Sequence, residues 1–125
     1  IELCKTFYTK IIGCSLGRES DRWVDFNLFG HQVVAHLSPD DCSVPKTNYV
    51  DDDDIPSRHF GVILTKEKWE KLRTKIHNSG VQFLIEPKIR FKDHNGEQFT
   101  FFIQDPSGNI LEFKFFKNES MVFEK

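Results

Sequence analysis

No stretch of this chain approaches the ~20 consecutive apolar residues needed to cross a bilayer, so no membrane-spanning helix is expected. Basic residues are not in excess. The net charge is −2 and the pI about 6.2, which leaves no basis for the basic face that captures nucleic acid. Cysteine is scarce: Cys4, Cys14 and Cys42 are odd in number, irregularly spaced and without a Cys-x-x-Cys knuckle. Neither a disulfide framework nor a thiolate metal site is expected. Free thiols in a reducing, cytoplasmic setting are the simplest reading, and no secretory signal is visible.

What the chain has in quantity is phenylalanine. Thirteen of its 125 residues are Phe and 38% are hydrophobic, enough for one domain with a real core.

Apolar spacing predicts an amphipathic helix over residues 3–12, with Leu3, Phe7 and Ile11 on one face and Gly13 as the stop. A short edge strand follows over 15–20. Strict alternation from Trp23 to Phe29, then Gln32 to Leu37 after a Gly30-His31 turn, predicts a hairpin. Residues 38–57 are rich in Ser, Pro, Asp and Asn without apolar periodicity and read as a linker. Its Asp51–Asp54 run lacks the alternating ligands and glycine turn of a calcium loop and reads as a solvated acidic stretch. Beyond it come a strand over 58–64, a Thr65-capped helix over 66–78, strand material over 81–91, and strands over 97–104 and 110–116 joined by Asp105–Asn109.

The order after the linker, strand–helix–strand–hairpin, repeats the order before it, except that the first half lacks its opening strand. His36 lies thirteen residues after Trp23, and Glu112 thirteen after Phe99. A shift of 76 therefore sets His36 opposite Glu112. The fold expected is α+β: two βαβββ modules forming a half-open barrel. Module one covers 1–37, the linker 38–57, module two 58–116 and a polar tail 117–125, with a first strand placed before Ile1.

His36, His59 and Glu112 each sit within largely apolar strand sequence. Two imidazoles and a carboxylate with open positions form the facial set that suits Fe(II), and also Mn, Ni or Zn. Taken singly, each has a plainer reading: His36 as a solvated strand end, His59 as a surface histidine, Glu112 as an outward residue alternating with Lys114. The repeat is what joins them. Residues sharing a face with these positions extend the candidate site: Gln32 beside His36, and Thr100, Phe102 and Gln104 on the preceding strand. Arg90 is the nearest candidate anion binder.

Two stretches resemble a known family. Phe7-Tyr8-Thr9-Lys10-Ile11-Ile12-Gly13 resembles the helix end of the vicinal oxygen chelate superfamily, which includes glyoxalase I, extradiol dioxygenases, and bleomycin and fosfomycin resistance proteins. Phe102-Ile103-Gln104-Asp105-Pro106-Ser107-Gly108-Asn109-Ile110-Leu111-Glu112 is similar to that superfamily's second signature. Trp23 to Gln32 also resembles a glyoxalase-like, dioxygenase-related subgroup. The resemblance implies metal ligands on the first and last strands of each module, which match His36, His59 and Glu112, and a fourth position before Ile1. It also implies a small oxygen-chelating substrate and a homodimer. Dioxygenase, lyase and isomerase chemistry are all implied, with metal-free sequestration of a small molecule as the alternative. Glyoxalase I carries Glu where His36 stands, so the resemblance favours the dioxygenase pattern.

Overall fold

Alternation in the sequence becomes two-faced strands in the computed structural model, which describes residues 1–50 and 52–124. Val24, Phe26 and Leu28 are buried on one face of β2 (Trp23–Leu28), while Trp23, Asp25 and Asn27 lie on the other. β2 pairs antiparallel with β1 (Ser15–Glu19) and β3 (His31–His36), giving a three-stranded sheet in the order β1-β2-β3. The turn falls at Phe29-Gly30, one residue earlier than expected. Both residues have positive φ (52° and 95°), and the Asn27 side chain accepts from the Gly30 N–H. That is the conformation a two-residue hairpin turn requires.

The first helix runs as α1 (Glu2–Thr6) into a wider π-type turn over Phe7–Ile12, closed by Gly13 at φ 99°. Module two carries the full strand–helix–strand–strand–strand order. β6 (Phe60–Ile63), α2 (Lys66–Ser79), β7 (Phe83–Arg90), β8 (Gln98–Gln104) and β9 (Ile110–Phe116) build a four-stranded sheet in the order β6-β9-β8-β7, with β6 parallel to β9. Thr65 caps α2 by accepting from the Lys68 N–H, as its sequence position predicts.

One core serves both modules. Phe7, Tyr8, Ile12, Val24, Phe26 and Leu28 from the first half pack with Trp69, Leu72, Ile76, Phe101, Ile103 and Phe113 from the second. The Trp69 indole N–H donates to the Phe113 carbonyl at 2.8 Å, which satisfies a polar group that burial would otherwise penalise. Because each sheet turns one face to this shared core, its other face is turned away. The sheets are separate among the described residues and do not close into a barrel.

Two expectations change. The segment between the modules is not all loop: Thr47–Val50 (β4) and Asp53–Pro56 (β5) pair as a hairpin. Its own sequence has no apolar periodicity because its buried side chains, Ile55 and Pro56, are adjacent at one end of it. Ile55 buries against Phe102 and Ile110, with Ile85 beside them. Asp53, expected in solvent, ion-pairs with Lys88 at 2.7 Å, and Arg90 donates to the Val50 carbonyl at 3.1 Å. Asp51, part of the same acidic run, lies outside the described residues.

The shift of 76 is also not a shared register. Trp23 faces His36 across the first hairpin, whereas Phe99 faces Phe115 across the second, and Glu112 faces Phe102. The second connection, 105–109, is longer than the two-residue first turn, so equal sequence spacing reaches different cross-strand partners.

Candidate functional site

β8 and β9 place Thr100, Phe102, Gln104, Ile110, Glu112 and Lys114 on the face turned away from the core. Glu112 is the buried carboxylate of that face, 8% exposed. An uncompensated charge at that depth is costly, and three groups offset it. The Thr100 hydroxyl donates to Oε1 at 2.7 Å. The Lys114 ammonium lies 2.9 Å from Oε2. His59 Nε2 stands 3.5 Å from the same Oε2.

His59 sits just before β6 rather than within a strand, and its orientation comes from two contacts. Nδ1 lies 2.7 Å from the Pro56 carbonyl oxygen, and the ring meets Phe102 edge to face at 5.2 Å. A carbonyl only accepts, so Nδ1 carries a proton. Nε2 is the nitrogen left facing the carboxylate oxygen, and a lone pair on it would meet a lone pair of Oε2. Two lone pairs so placed attract only when a proton or a cation accompanies them. A ring N–H held by a backbone carbonyl is also how the non-ligating nitrogen of a metal-binding histidine is often fixed.

β6 meets Glu112 at Gly61. A Cβ at Gly61 would fall on the Glu112 carbonyl oxygen, so glycine lets β6, which follows directly on His59, lie against β9, which carries Glu112. Beside the pair opens a cleft of about 430 Å³, lined by Ser43, Arg58, His59, Phe60, Asn109 and Ile110 among others. Arg58 donates to the Ser43 hydroxyl at 3.3 Å at its rim.

Of the residues expected from sequence, His59, Glu112, Thr100, Phe102 and Gln104 come together on or beside this face. His36 does not join them. It is exposed at the end of β3, opposite Trp23 on the other sheet. Gln32 lies on that sheet too and donates to Asp25 at 3.1 Å. Arg90 is buried beneath the hairpin and holds Val50. Among the described residues no three His, Cys, Asp or Glu side chains are grouped to hold a metal.

Spacing along β9 places Lys114 on the face of Glu112, as the sequence suggests, but does not give the ion pair the two make. The Thr100 contact needs the register of β8 on β9, which depends on the length of the intervening connection. The Pro56 contact belongs to a segment without periodicity.

The family model that matches, over residues 1–113, is the Glyoxalase/Bleomycin resistance protein/Dioxygenase superfamily, and the chain belongs to it. A glyoxalase/bleomycin resistance protein/dioxygenase from Alicyclobacillus acidocaldarius is similar at 30% identity and a TM-score of 0.81, over 98% of this chain and 88% of that one. A genomically encoded fosfomycin resistance protein from Listeria monocytogenes shares the fold at 14% identity and TM-score 0.66, over 98% and 88%. An integron cassette protein from the V. cholerae mobile metagenome does so at 20% and 0.63, over 92% and 85%. No curated protein matches.

Proteins of this superfamily bind small molecules, often form dimers and commonly use divalent metals. The donors at Glu112 fit such a cation in kind: a buried carboxylate oxygen and an imidazole nitrogen facing it. No helix among the described residues is long and apolar enough to cross a membrane.

Proposed function

We propose that this chain is a metal-dependent enzyme of the vicinal oxygen chelate type, a dioxygenase, lyase or isomerase acting on a small substrate with two adjacent oxygens. The observation that carries this reading is the buried Glu112 carboxylate with His59 Nε2 3.5 Å from its Oε2. His59 and Glu112 would hold the cation, and the mixed nitrogen and oxygen donors favour Fe(II), with Mn, Ni and Zn as alternatives. When bound, such a cation polarises the oxygens it chelates and stabilises charge that develops on them.

The chain's own residues do the rest. Thr100 fixes the orientation of the carboxylate, and the Pro56 carbonyl fixes the imidazole. Phe102, Ile110 and Ile55 form a dry wall on one side, which strengthens the electrostatics nearby. Arg58 lines the adjoining cleft and is a cation for an anionic end of the substrate.

His36 completes a facial set only across a second copy, with module one of one copy over the open face of module two of the other. Half-exposed apolar residues support such a homodimer: Val34 and Leu37 near His36, Phe60 and Ile63 near His59. Three free cysteines support a cytoplasmic location.

A second reading, metal-free sequestration of a small molecule, is favoured by Lys114, which already neutralises Glu112. Metal content per chain, measured on protein purified without chelating resin, decides between them. Near-stoichiometric metal, lost in His59→Ala and in Glu112→Ala, is the expected result. No metal after reconstitution with Fe(II), Mn, Ni and Zn would overturn the catalytic reading.

A further inference from the structure

Glu112 Oε2 has two neighbours of different kind, and the second is a cation from the chain itself. Lys114 and Glu112 are two apart on β9 and share a face, and Lys114 sits directly opposite Thr100 on β8. Its ammonium is free to extend into solvent, since the side chain keeps 24% of its exposure, yet it folds back to 2.9 Å from Oε2. Thr100 takes Oε1 on the other side. Every strong donor to this carboxylate thus comes from the open face, and the oxygen nearest His59 is the one Lys114 holds.

We propose that Lys114 gates the cation site: its ammonium competes for Glu112 Oε2, and a divalent cation binds there only by displacing it. This rests on the reading of His59 and Glu112 as metal donors. Two positive centres on one carboxylate oxygen, on a partly desolvated face, repel strongly. Part of a cation's binding energy therefore goes into moving Lys114 away from Glu112. Lys114 is a positioning residue in this scheme, acting on the cation through the carboxylate.

The test is titration of the full chain with Mn(II) alone, read by the electron paramagnetic resonance of free Mn(II), with a thermal melt as the folding control. Lys114→Met removes the charge and keeps the stem. It should bind Mn(II) about tenfold more tightly than wild type, or better. Lys114→Arg keeps the charge and should stay close to wild type, and it is the contrast with Lys114→Met that a purely structural role for the stem does not give. Lys114→Gln, which keeps an N–H donor without charge, carries the test if Lys114→Met does not fold. Glu112→Gln in the same backgrounds should abolish the binding.

Mn(II) bound equally, or more weakly, by the neutral variants than by wild type overturns the gate and leaves the metal reading standing. Binding by the neutral variants but not by wild type supports the gate and overturns metal dependence of the native chain. Mn(II) bound by none overturns the gate, and the same result with Fe(II), Ni and Zn overturns the metal reading as well.

Discussion

Tyr8 Oη donates to Asp105 Oδ2 at 3.2 Å across 97 residues of sequence, joining the helix of module one to the last turn of module two. The same aspartate accepts from the Ser107 and Asn109 N–H groups at 2.8 and 2.9 Å and from the Asn109 side chain at 2.8 Å. The two motifs that carry the family resemblance thus meet in space, and what joins them is structural. Asp105→Ala removes a buried acceptor with four donors and should cost about 3 kcal/mol in denaturant unfolding. Asp105→Asn, which keeps one acceptor oxygen, should cost less.

Burial, and then the Asp105 charge, push the Tyr8 hydroxyl pKa well above its ordinary value of 10.0. Above pH 10 the unfolded chain releases a proton that the folded chain retains, so stability falls as pH rises through and beyond that value. Tyr8→Phe should be less stable at neutral pH by about 1 kcal/mol but lose less stability between pH 9 and 11. Urea midpoints across that range are the check; a variant with wild-type slope would refute the assignment to Tyr8.

Gly61→Ala forces a methyl group onto the Glu112 backbone. β6, which follows directly on His59, must then move away from β9, which bears Glu112. A loss of about 3 kcal/mol is expected, and the cation binding proposed for His59 and Glu112 should go with it, whereas Ala at Gly80, where nothing lies within 4 Å of the added Cβ, should spare that binding.

Thr100 is fully buried, and its hydroxyl is the donor to Glu112 Oε1. Thr100→Val keeps the shape and leaves a carboxylate oxygen short of a donor, so it should cost about 2 kcal/mol. Thr100→Ser keeps the donor, and the difference between the two variants in chemical denaturation isolates the hydrogen bond.

Ile55→Ala should loosen the hairpin without unfolding the domain. Ile55 is the buried apolar anchor of that segment, so amide exchange over 47–56 should accelerate while the core strands β8 and β9 keep their protection. Global unfolding at wild-type denaturant concentration, with local exchange unchanged, would contradict the anchoring role.

Burial pushes the Cys14 thiol up to about 11, against the pull of Lys75, and raises Cys4 as well. Cys42 is exposed. A thiol reagent at pH 8 should label the exposed Cys42 first and Cys14 slowest, since the buried Cys14 thiol stays protonated at that pH and is shielded from the reagent. Mass spectrometry of the partly labelled chain gives the order.

Periodicity made most elements legible. Trp69, Leu72 and Ile76 repeat every three to four residues because α2 rests on one apolar stripe, and the strands around Phe26, Phe101 and Phe113 alternate because each sheet turns one face to the core. The hairpin formed by β4 and β5 was not legible, because its buried side chains, Ile55 and Pro56, are neighbours and show no period. Of the site, Glu112 and His59 could be named from apolar flanks and from the repeat. The repeat nonetheless suggested a register that the longer 105–109 connection breaks.

By itself, then, the sequence determined which faces are apolar, where turns interrupt them, and the family to which those runs belong. These depend on neighbours a few residues apart along one strand or helix. Only the tertiary structure decided that Lys114 and Thr100 hold Glu112, that a Pro56 carbonyl orients His59, and that His36 lies on another sheet. Those contacts depend on cross-strand register and on which face of each sheet meets the shared core. Both are set by loop lengths and by packing over the whole chain, not by local pattern.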